Sequence, residues 1–231
     1  MTQDKKYEPP QRTSGDTGFA VARAGLSTIP VAGGAAVELL QILLTPPLEK
    51  RRDEWMKEVA SALRDLEENQ GIKLEDLQSN DSFIDTVLHA SQIALRNNQR
   101  EKREALRNGV INSALPSSPD QSLLQMFLGL IDTFTVWHIR MLKLFDDPKR
   151  WSDNHDHILD NPDMGGLDLL LEKAFPELIG KKDFYDQVWK DLFSRGLVNT
   201  DSLHSIIWRG ALDKRTTEIG VQFIKFIESP N

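Results

Sequence analysis

Six side chains able to bind a divalent metal lie in the loop that follows Trp151. Neutral imidazole and carboxylate are ordinary ligands of divalent ions. The loop carries two histidines and four aspartates: Asp153, His155, Asp156, His157, Asp160 and Asp163. The spacing lacks the central glycine and terminal glutamate of a calcium-binding loop, and a His-x-His pair alone is a weak signature. The pattern therefore favours a solvated acidic loop, and we assign no metal and no cofactor.

Signatures of enzyme catalysis are missing from the sequence. The chain has no cysteine, which excludes a disulfide framework, a thiolate zinc site, an iron–sulfur cluster and a cysteine nucleophile. It also contains no Gly-x-Ser-x-Gly elbow, phosphate loop, dinucleotide fingerprint or His-Glu-x-x-His helix. His89 and His138 fall within amphipathic helices, where a structural role is expected. We predict a protein that is not an enzyme, with no catalytic residues and no small-molecule substrate.

One basic cluster could hold a phosphate, a nucleic acid or a lipid headgroup. If residues 96–107 are helical, a period of 3.6 places four arginines on one stripe: Arg96, Arg100, Arg103 and Arg107. Glu101 and Glu104 lie between them, and oppositely charged residues three or four positions apart commonly pair on solvated helix faces. Two interpretations stay open, an anion contact and a solvated face.

The segment 24–48 contains a single charged residue, Glu38. Within it we expect a helix over 31–45, which Pro46–Pro47 ends. Apolar side chains cover most of the circumference of this helix: Val37, Leu39, Leu40, Ile42, Leu43 and Leu44. An apolar arc of that width has to be buried, either in a helical bundle or in lipid.

This helix is not expected to span a membrane permanently. The residues of 31–45 rise about 22 Å, short of the roughly 30 Å hydrocarbon core, and Glu38 would be costly at the bilayer centre. Lys50, Arg51 and Arg52 follow the prolines and suit anionic headgroups. Two alternatives stay open: a core helix of an N-terminal bundle, or a helix that is masked until it is released onto a membrane or a partner.

Helices are the elements that must position these residues in the first half of the chain. Residues 1–18 are polar and typical of a flexible lead-in. A helix is expected over 48–68, and another from Asp81 that continues through the arginines to Leu115. The buried face expected for the latter is Ile84, Val87, Leu88, Ser91 and Leu95. The break at Pro116–Pro119 separates a predicted helical bundle over 19–115 from a second domain over 120–229.

The second half of the chain has the layout of a winged-helix domain. Its helices precede Gly196, a residue type common just after a helix. Leu197–Val198 and 205–208 are short apolar runs around a polar turn, typical of a β-hairpin, and a last helix turns its apolar residues inward: Phe223, Phe226 and Ile227. The predicted fold class is mainly α, an N-terminal helical bundle followed by a winged-helix-like domain with a short β-hairpin.

A winged helix raises the question of DNA binding. Three lysines on the candidate recognition helix could contact nucleic acid: Lys181, Lys182 and Lys190. With Arg195 they exceed the three aspartates of the same helix by one charge, whereas phosphate contacts need several uncompensated cations. The chain as a whole has a net charge of −7, which gives no long-range attraction to nucleic acid. Protein contact therefore fits this half better than DNA binding.

Three sequence motifs resemble those of a group of uncharacterised bacterial proteins. The motifs are Ile-Pro-Val-Ala-Gly-Gly over 29–34, Pro-Pro-Leu-Glu-Lys-Arg-Arg over 46–52 and Thr-Thr-Glu-Ile-Gly-Val-Gln-Phe-Ile over 216–224. The tail half resembles the bacterial abortive infection alpha family more loosely. The resemblance implies a bacterial origin and a link to phage defence, and it brings no catalytic residues with it.

The predicted function is therefore that of a non-enzymatic bacterial interaction protein. In this hypothesis the apolar helix 31–45 contacts a protein partner, a second copy of the chain or a membrane, and the winged-helix half senses or docks. A winged-helix DNA-binding transcriptional regulator is the alternative. The polar N-terminus and the lack of cysteine indicate the cytoplasm, with a peripheral location at the inner membrane open.

Overall fold

A computed structural model of the chain describes residues 34–156, 159, 166–204, 210 and 212–230. These residues are mainly helical, which confirms the mainly α fold class. The helices in chain order are α1 Gly34–Gln70, α2 Leu74–Leu77, α3 Asp81–Arg96, α4 Arg100–Ala114, α5 Gln121–Thr133, α6 Val136–Asp146, α7 Pro148–Asp153, α8 Leu167–Ala174, α9 Lys182–Ser194 and α10 Glu218–Ile227. A 3-10 turn, Pro176–Leu178, follows α8.

The chain divides into two compact units between Leu128 and Gly129. Residues 116–120, where the sequence places a domain boundary, form the non-helical connection between α4 and α5. The division itself lies further along, inside α5. The lead-in predicted over 1–18 falls outside the residues that the structure describes.

Helix α1 continues through the two prolines that were expected to end it. Pro46 and Pro47 lie inside a single helix that reaches Gln70, so the prediction of two separate helices is wrong. Proline has a helical φ, but inside a helix each proline removes the amide bond to the carbonyl four residues earlier, here of Ile42 and Leu43, and its ring crowds that carbonyl, at a cost of about 3 kcal/mol. The part of α1 beyond them is held by packing, because Trp55, Val59 and Leu66 are buried. The Trp55 indole Nε1 also donates to Ser91 Oγ at 2.8 Å.

The core of the first unit forms where α1, α3 and α4 pack on one another. The buried face of α3 consists of Phe83, Thr86, Ala90, Ile93 and Ala94. The face expected from the sequence is wrong at Ile84 and Leu88, which are exposed, whereas Val87, Ser91 and Leu95 are half-buried. The buried residues of α3 and α4 include small ones, Ala90 and Ala94 on α3 and Ala105 and Gly109 on α4.

The helix expected to run from Asp81 to Leu115 is interrupted at residues 97–99, which corrects that prediction. Asn97 is extended, with φ −113° and ψ 132°. Its side-chain Nδ2 donates to the Ile93 carbonyl at 2.9 Å, the carbonyl that the Asn97 amide would bond in a continuous helix. Arg96 therefore ends α3, and the other three arginines of the expected stripe lie on α4.

In the second unit α6 contacts α7, α9 and α10. Aromatic side chains join these helices: Phe145 meets Trp189 of α9 edge to face at 4.9 Å, and Phe134 meets Phe223 of α10 at 6.0 Å between centroids. The inward residues expected on the last helix, Phe223, Phe226 and Ile227, are all buried. The period-3.6 pattern predicted this face correctly.

An isolated antiparallel bridge joins Val198 to Thr216 between α9 and α10. Asn199 N donates to the Arg215 carbonyl at 2.8 Å and Thr217 N donates to the Leu197 carbonyl at 3.0 Å. Among the described residues this bridge is the only β structure. The second apolar run of the predicted hairpin, 205–208, lies outside the described part of the chain, so the hairpin stays a prediction.

Taken singly, none of the helices in the described ranges combines the length and apolar composition needed to cross a bilayer. Helices α5 and α6 meet that test only as a pair, bent by 118° at the break between them. The apolar residues of this pair are mostly core residues, Phe127, Leu128, Ile131, Leu142 and Phe145 among them.

Candidate functional site

The apolar residues that follow one another on α1 are exposed. Ile42 is 64% exposed, Leu43 66% and Leu44 40%. Successive residues of a helix are 100° apart, so these side chains lie on three different sides of α1. We call Ile42, Leu43 and Leu44 the apolar segment. Val37, Leu39 and Leu40 belong to the same helix, and their side chains lie outside the described part of the structure.

The three basic residues beyond the prolines differ in their surroundings. The Lys50 side chain is 78% exposed and lies 3.9 Å from Glu54. Arg51 is half-buried, and its Nη1 donates to the Leu95 carbonyl at 3.4 Å, which ties α1 to the end of α3. Arg52 is half-buried as well. Lys50 is thus the cation of this group most accessible to a binding partner.

Three of the four arginines singled out by their spacing line one open pocket. Arg100, Arg103 and Arg107 project from α4 into a pocket of about 420 Å³. The same pocket is lined by Glu58, Asn98 and Glu104. Arg96, on α3, does not line it. We call this the arginine pocket.

The three guanidinium groups are engaged to different extents. Arg103 Nη1 donates to Glu54 Oε2 at 3.1 Å and its Nη2 to Glu58 Oε1 at 2.8 Å, and the side chain is 14% exposed. Arg107 Nη2 donates to the neighbouring Asn108 Oδ1 at 3.1 Å and lies 3.9 Å from Glu104. Arg103 therefore joins α4 to α1.

Arg100 differs from the other two arginines of the pocket. Its side chain is exposed. Its guanidinium makes no hydrogen bond or ion pair with any residue in the described ranges. Arg100 can therefore bind an external group without losing a contact with any residue that the structure describes.

A charged cluster in the second unit was missed by the sequence analysis. His204 Nδ1 contacts Asp168 Oδ2 at 2.8 Å, and its Nε2 contacts Asp186 Oδ1 at 2.7 Å. Burial alone would lower the pKa of His204, but hydrogen bonds to Asp168 and then Asp186 outweigh burial and raise that pKa. Since both ring nitrogens are engaged, the imidazolium bridges α8 and α9 and is not free to act as a base.

Tyr185 lies beside this cluster and donates from its hydroxyl to Glu172 Oε1 at 3.1 Å. Burial, followed by the bond to the Glu172 carboxylate, raises the pKa of Tyr185 above its ordinary range. The tyrosine therefore stays protonated as a hydrogen-bond donor. No local spacing predicts this cluster, because its members come from α8, α9 and the segment after Val198.

The lysines of the candidate recognition helix lie on the surface: Lys182 and Lys190 belong to α9 and Lys181 is its N-cap, and all three are exposed. Two aspartates of α9 are engaged with histidines: Asp186 with His204, and Asp191 with His138 Nε2 at 3.4 Å. His138 is buried and its Nδ1 accepts from the Thr135 amide at 3.1 Å, so it caps α6.

The loop with metal-ligand side chains is only partly described. His157, Asp160 and Asp163 lie outside the described residues. The His155 ring stacks on Trp151 at 3.8 Å, and its Nδ1 lies 2.7 Å from the Trp151 carbonyl. Within the ranges that the structure describes, no group of three or more histidine, aspartate or glutamate side chains is arranged to hold a metal ion.

Comparison with protein families, curated proteins and solved structures gives no match to this chain.

Proposed function

We propose that this chain is a non-enzymatic interaction protein that docks on an anionic membrane surface through the apolar segment. The observation that carries the proposal is the exposure of Ile42 and Leu43, at 64% and 66%, on a helix whose later residues enter the core. A helix that is apolar on several sides gains most from an environment that surrounds it. The end of α1, inserted into lipid, would have such surroundings, and Lys50 follows where phospholipid headgroups would lie.

The available free energy makes this docking weak and reversible. Full burial of a leucine or isoleucine is worth about 1.5–3 kcal/mol. Scaled by the exposed fractions of the apolar segment, the three side chains supply roughly 4 kcal/mol. That is less than the marginal anchoring of a single myristoyl chain. A basic residue near the surface adds about 1 kcal/mol, so anionic lipid strengthens docking by about fivefold, and salt weakens that contribution.

Co-sedimentation with vesicles tests the proposal. Phosphatidylcholine vesicles with and without phosphatidylglycerol are compared, with dye leakage measured in the same samples. We expect the chain to bind the anionic vesicles, and an Ile42→Ser/Leu43→Ser variant to lose that binding. The matched control is Ile179→Ser/Leu169→Ser, which removes two apolar side chains of 63% and 49% exposure from the second unit.

Two results would contradict membrane docking. The first is no sedimentation of the wild-type chain with anionic vesicles, which would leave a protein partner or a second copy to cover the apolar segment. The second is equal loss of binding in the control, which would mean that exposed apolar residues bind lipid wherever they lie. Since the substituted side chains are exposed, circular dichroism should show both variants folded.

We propose further that the second unit is a winged helix with residues 197–216 as its wing. The proposal is supported by the bridge between Val198 and Thr216, which closes the connection directly after α9. It is also supported by the packing of α6 against α9 and α10. Cross-strand nuclear Overhauser contacts between 198 and 216, and between either residue and 205–208, test it. A helical or unpaired 205–208 would contradict it.

DNA binding is the second candidate function, favoured by the exposure of Lys182 and Lys190 on α9 and of Lys181 at its N-cap. Duplex affinity with a steep salt dependence is expected if these lysines contact phosphates. Their replacement by glutamine should then reduce both the affinity and the salt slope. No binding at low salt would remove this candidate and leave protein contact as the role of α9.

We propose phage defence or stress response as the cellular context, on the resemblance to the abortive infection alpha family alone. Phage plating on bacteria that express the wild-type chain or Ile42→Ser/Leu43→Ser tests it. Equal plating on cells with and without the wild-type chain contradicts it.

A further inference from the structure

We propose that the arginine pocket binds a terminal phosphate group, held by Arg100 and Arg107. Both line a pocket of about 420 Å³, which falls in the usual range for small-molecule sites. Guanidinium groups match a phosphate with paired N–H donors and remain charged at every physiological pH. The proposal does not depend on membrane docking, because the apolar segment lies on α1 whereas Arg100 and Arg107 lie on α4.

The roles of the three arginines follow from their contacts. Arg103 lies in the middle of the stripe and is held from both sides by Glu54 and Glu58, so its charge is compensated within the protein. Arg100 and Arg107 lie about one turn before and after it on α4. Arg103 thus fixes α4 against α1, and Arg100 and Arg107 line the same pocket without an ion pair to Glu54 or Glu58.

The competing carboxylate in the pocket is weakly engaged. Glu104 lies 3.9 Å from Arg107, beyond hydrogen-bond distance, and its side chain is 53% exposed. It can therefore turn toward water when a phosphate enters. Glu58 is committed to Arg103 at 2.8 Å. Arg100 loses no contact with the described residues when a ligand binds, and α4 begins at this residue with the positive end of its dipole.

Calorimetric titration of the full chain with inorganic phosphate tests this site. We expect saturable binding that weakens by about tenfold in Arg100→Gln and in Arg107→Gln, as for the loss of one charge-assisted hydrogen bond. Glu104→Gln removes the competing carboxylate and should tighten binding. Arg96→Gln is the matched control, because Arg96 is an exposed arginine that does not line the pocket.

Competition with short-chain phosphatidic acid distinguishes two sources of the same chemistry. If this lipid displaces inorganic phosphate, the pocket accepts a phospholipid headgroup. If it does not, the ligand is a free phosphorylated molecule. The proposal is overturned if phosphate gives no saturable heat, or if Arg96→Gln loses as much affinity as Arg100→Gln. It is overturned equally if Glu104→Gln weakens binding, because that carboxylate would then support the ligand.

Discussion

Substitution by alanine is expected to have opposite effects on stability at two helical glycines. A Cβ on Gly220 would lie 2.3 Å from the Leu197 carbonyl oxygen and 3.3 Å from Thr216 Cβ, both beside the bridge that closes the second unit. A Cβ on Gly129 would meet no atom within 4 Å. Gly220→Ala therefore has to push the start of α10 away from Leu197 by about 1 Å, while Gly129→Ala needs no movement.

The magnitudes are large enough to separate the two variants. Alanine is favoured over glycine inside a helix by up to about 1 kcal/mol, and overpacking against backbone costs about 1–3 kcal/mol. We expect Gly129→Ala to raise the free energy of unfolding by about 0.5–1 kcal/mol and Gly220→Ala to lower it by about 1–2 kcal/mol. Both changes are measured by urea unfolding, followed by tryptophan fluorescence, as shifts of the urea midpoint at an unchanged m-value. If the Gly220→Ala variant is as stable as the Gly129→Ala variant, the close approach of α10 to Leu197 is refuted.

Two further predictions concern the charged groups. Arg103→Ala should destabilise the first unit by about 1 kcal/mol, a modest figure because the partner carboxylates are 41–43% exposed. Arg100→Ala should change the stability little. Equal urea midpoints for the two variants would contradict this prediction. Folding raises the pKa of His204. The ion pairs of His204 with Asp168 and Asp186 therefore stabilise the fold fully below the ordinary histidine pKa of 6.5, and they stabilise it less as the pH rises through the folded-state pKa. The difference in melting temperature between the wild type and His204→Gln should accordingly shrink from about pH 5.5 to pH 9, and a difference that does not vary with pH would refute the charged bridge.

Local periodicity predicted the elements that depend on neighbours in sequence. The apolar face of α10, with Phe223, Phe226 and Ile227, follows from its 3.6-residue spacing. On α3 two apolar stripes were available, and the expected one was wrong at Ile84 and Leu88, because the helix buries Phe83, Thr86, Ala90, Ile93 and Ala94 instead.

Long-range contacts were beyond the reach of the sequence. His204 meets Asp168 and Asp186 from 36 and 18 residues away, and Arg103 meets Glu54 from 49 residues away. The spacing of the arginines still selected three residues that line one pocket, because i, i+3 and i+7 positions share a helix face. The fourth, Arg96, was separated by the cap at Asn97, where the side chain bonds the Ile93 carbonyl and the amide bonds the Ala94 carbonyl.

The central claim is that the apolar segment enters lipid, and a fluorophore placed on it measures this directly. The chain has no cysteine, so Leu43→Cys creates a unique site for an environment-sensitive label, and Ile179→Cys creates a matched one at 63% exposure in the second unit. On addition of phosphatidylglycerol-containing vesicles, we expect the emission of the label at position 43 to shift to the blue and to be quenched by lipid-borne quenchers, with no change at position 179. An unchanged spectrum at position 43, or equal shifts at both positions, would contradict docking through this segment.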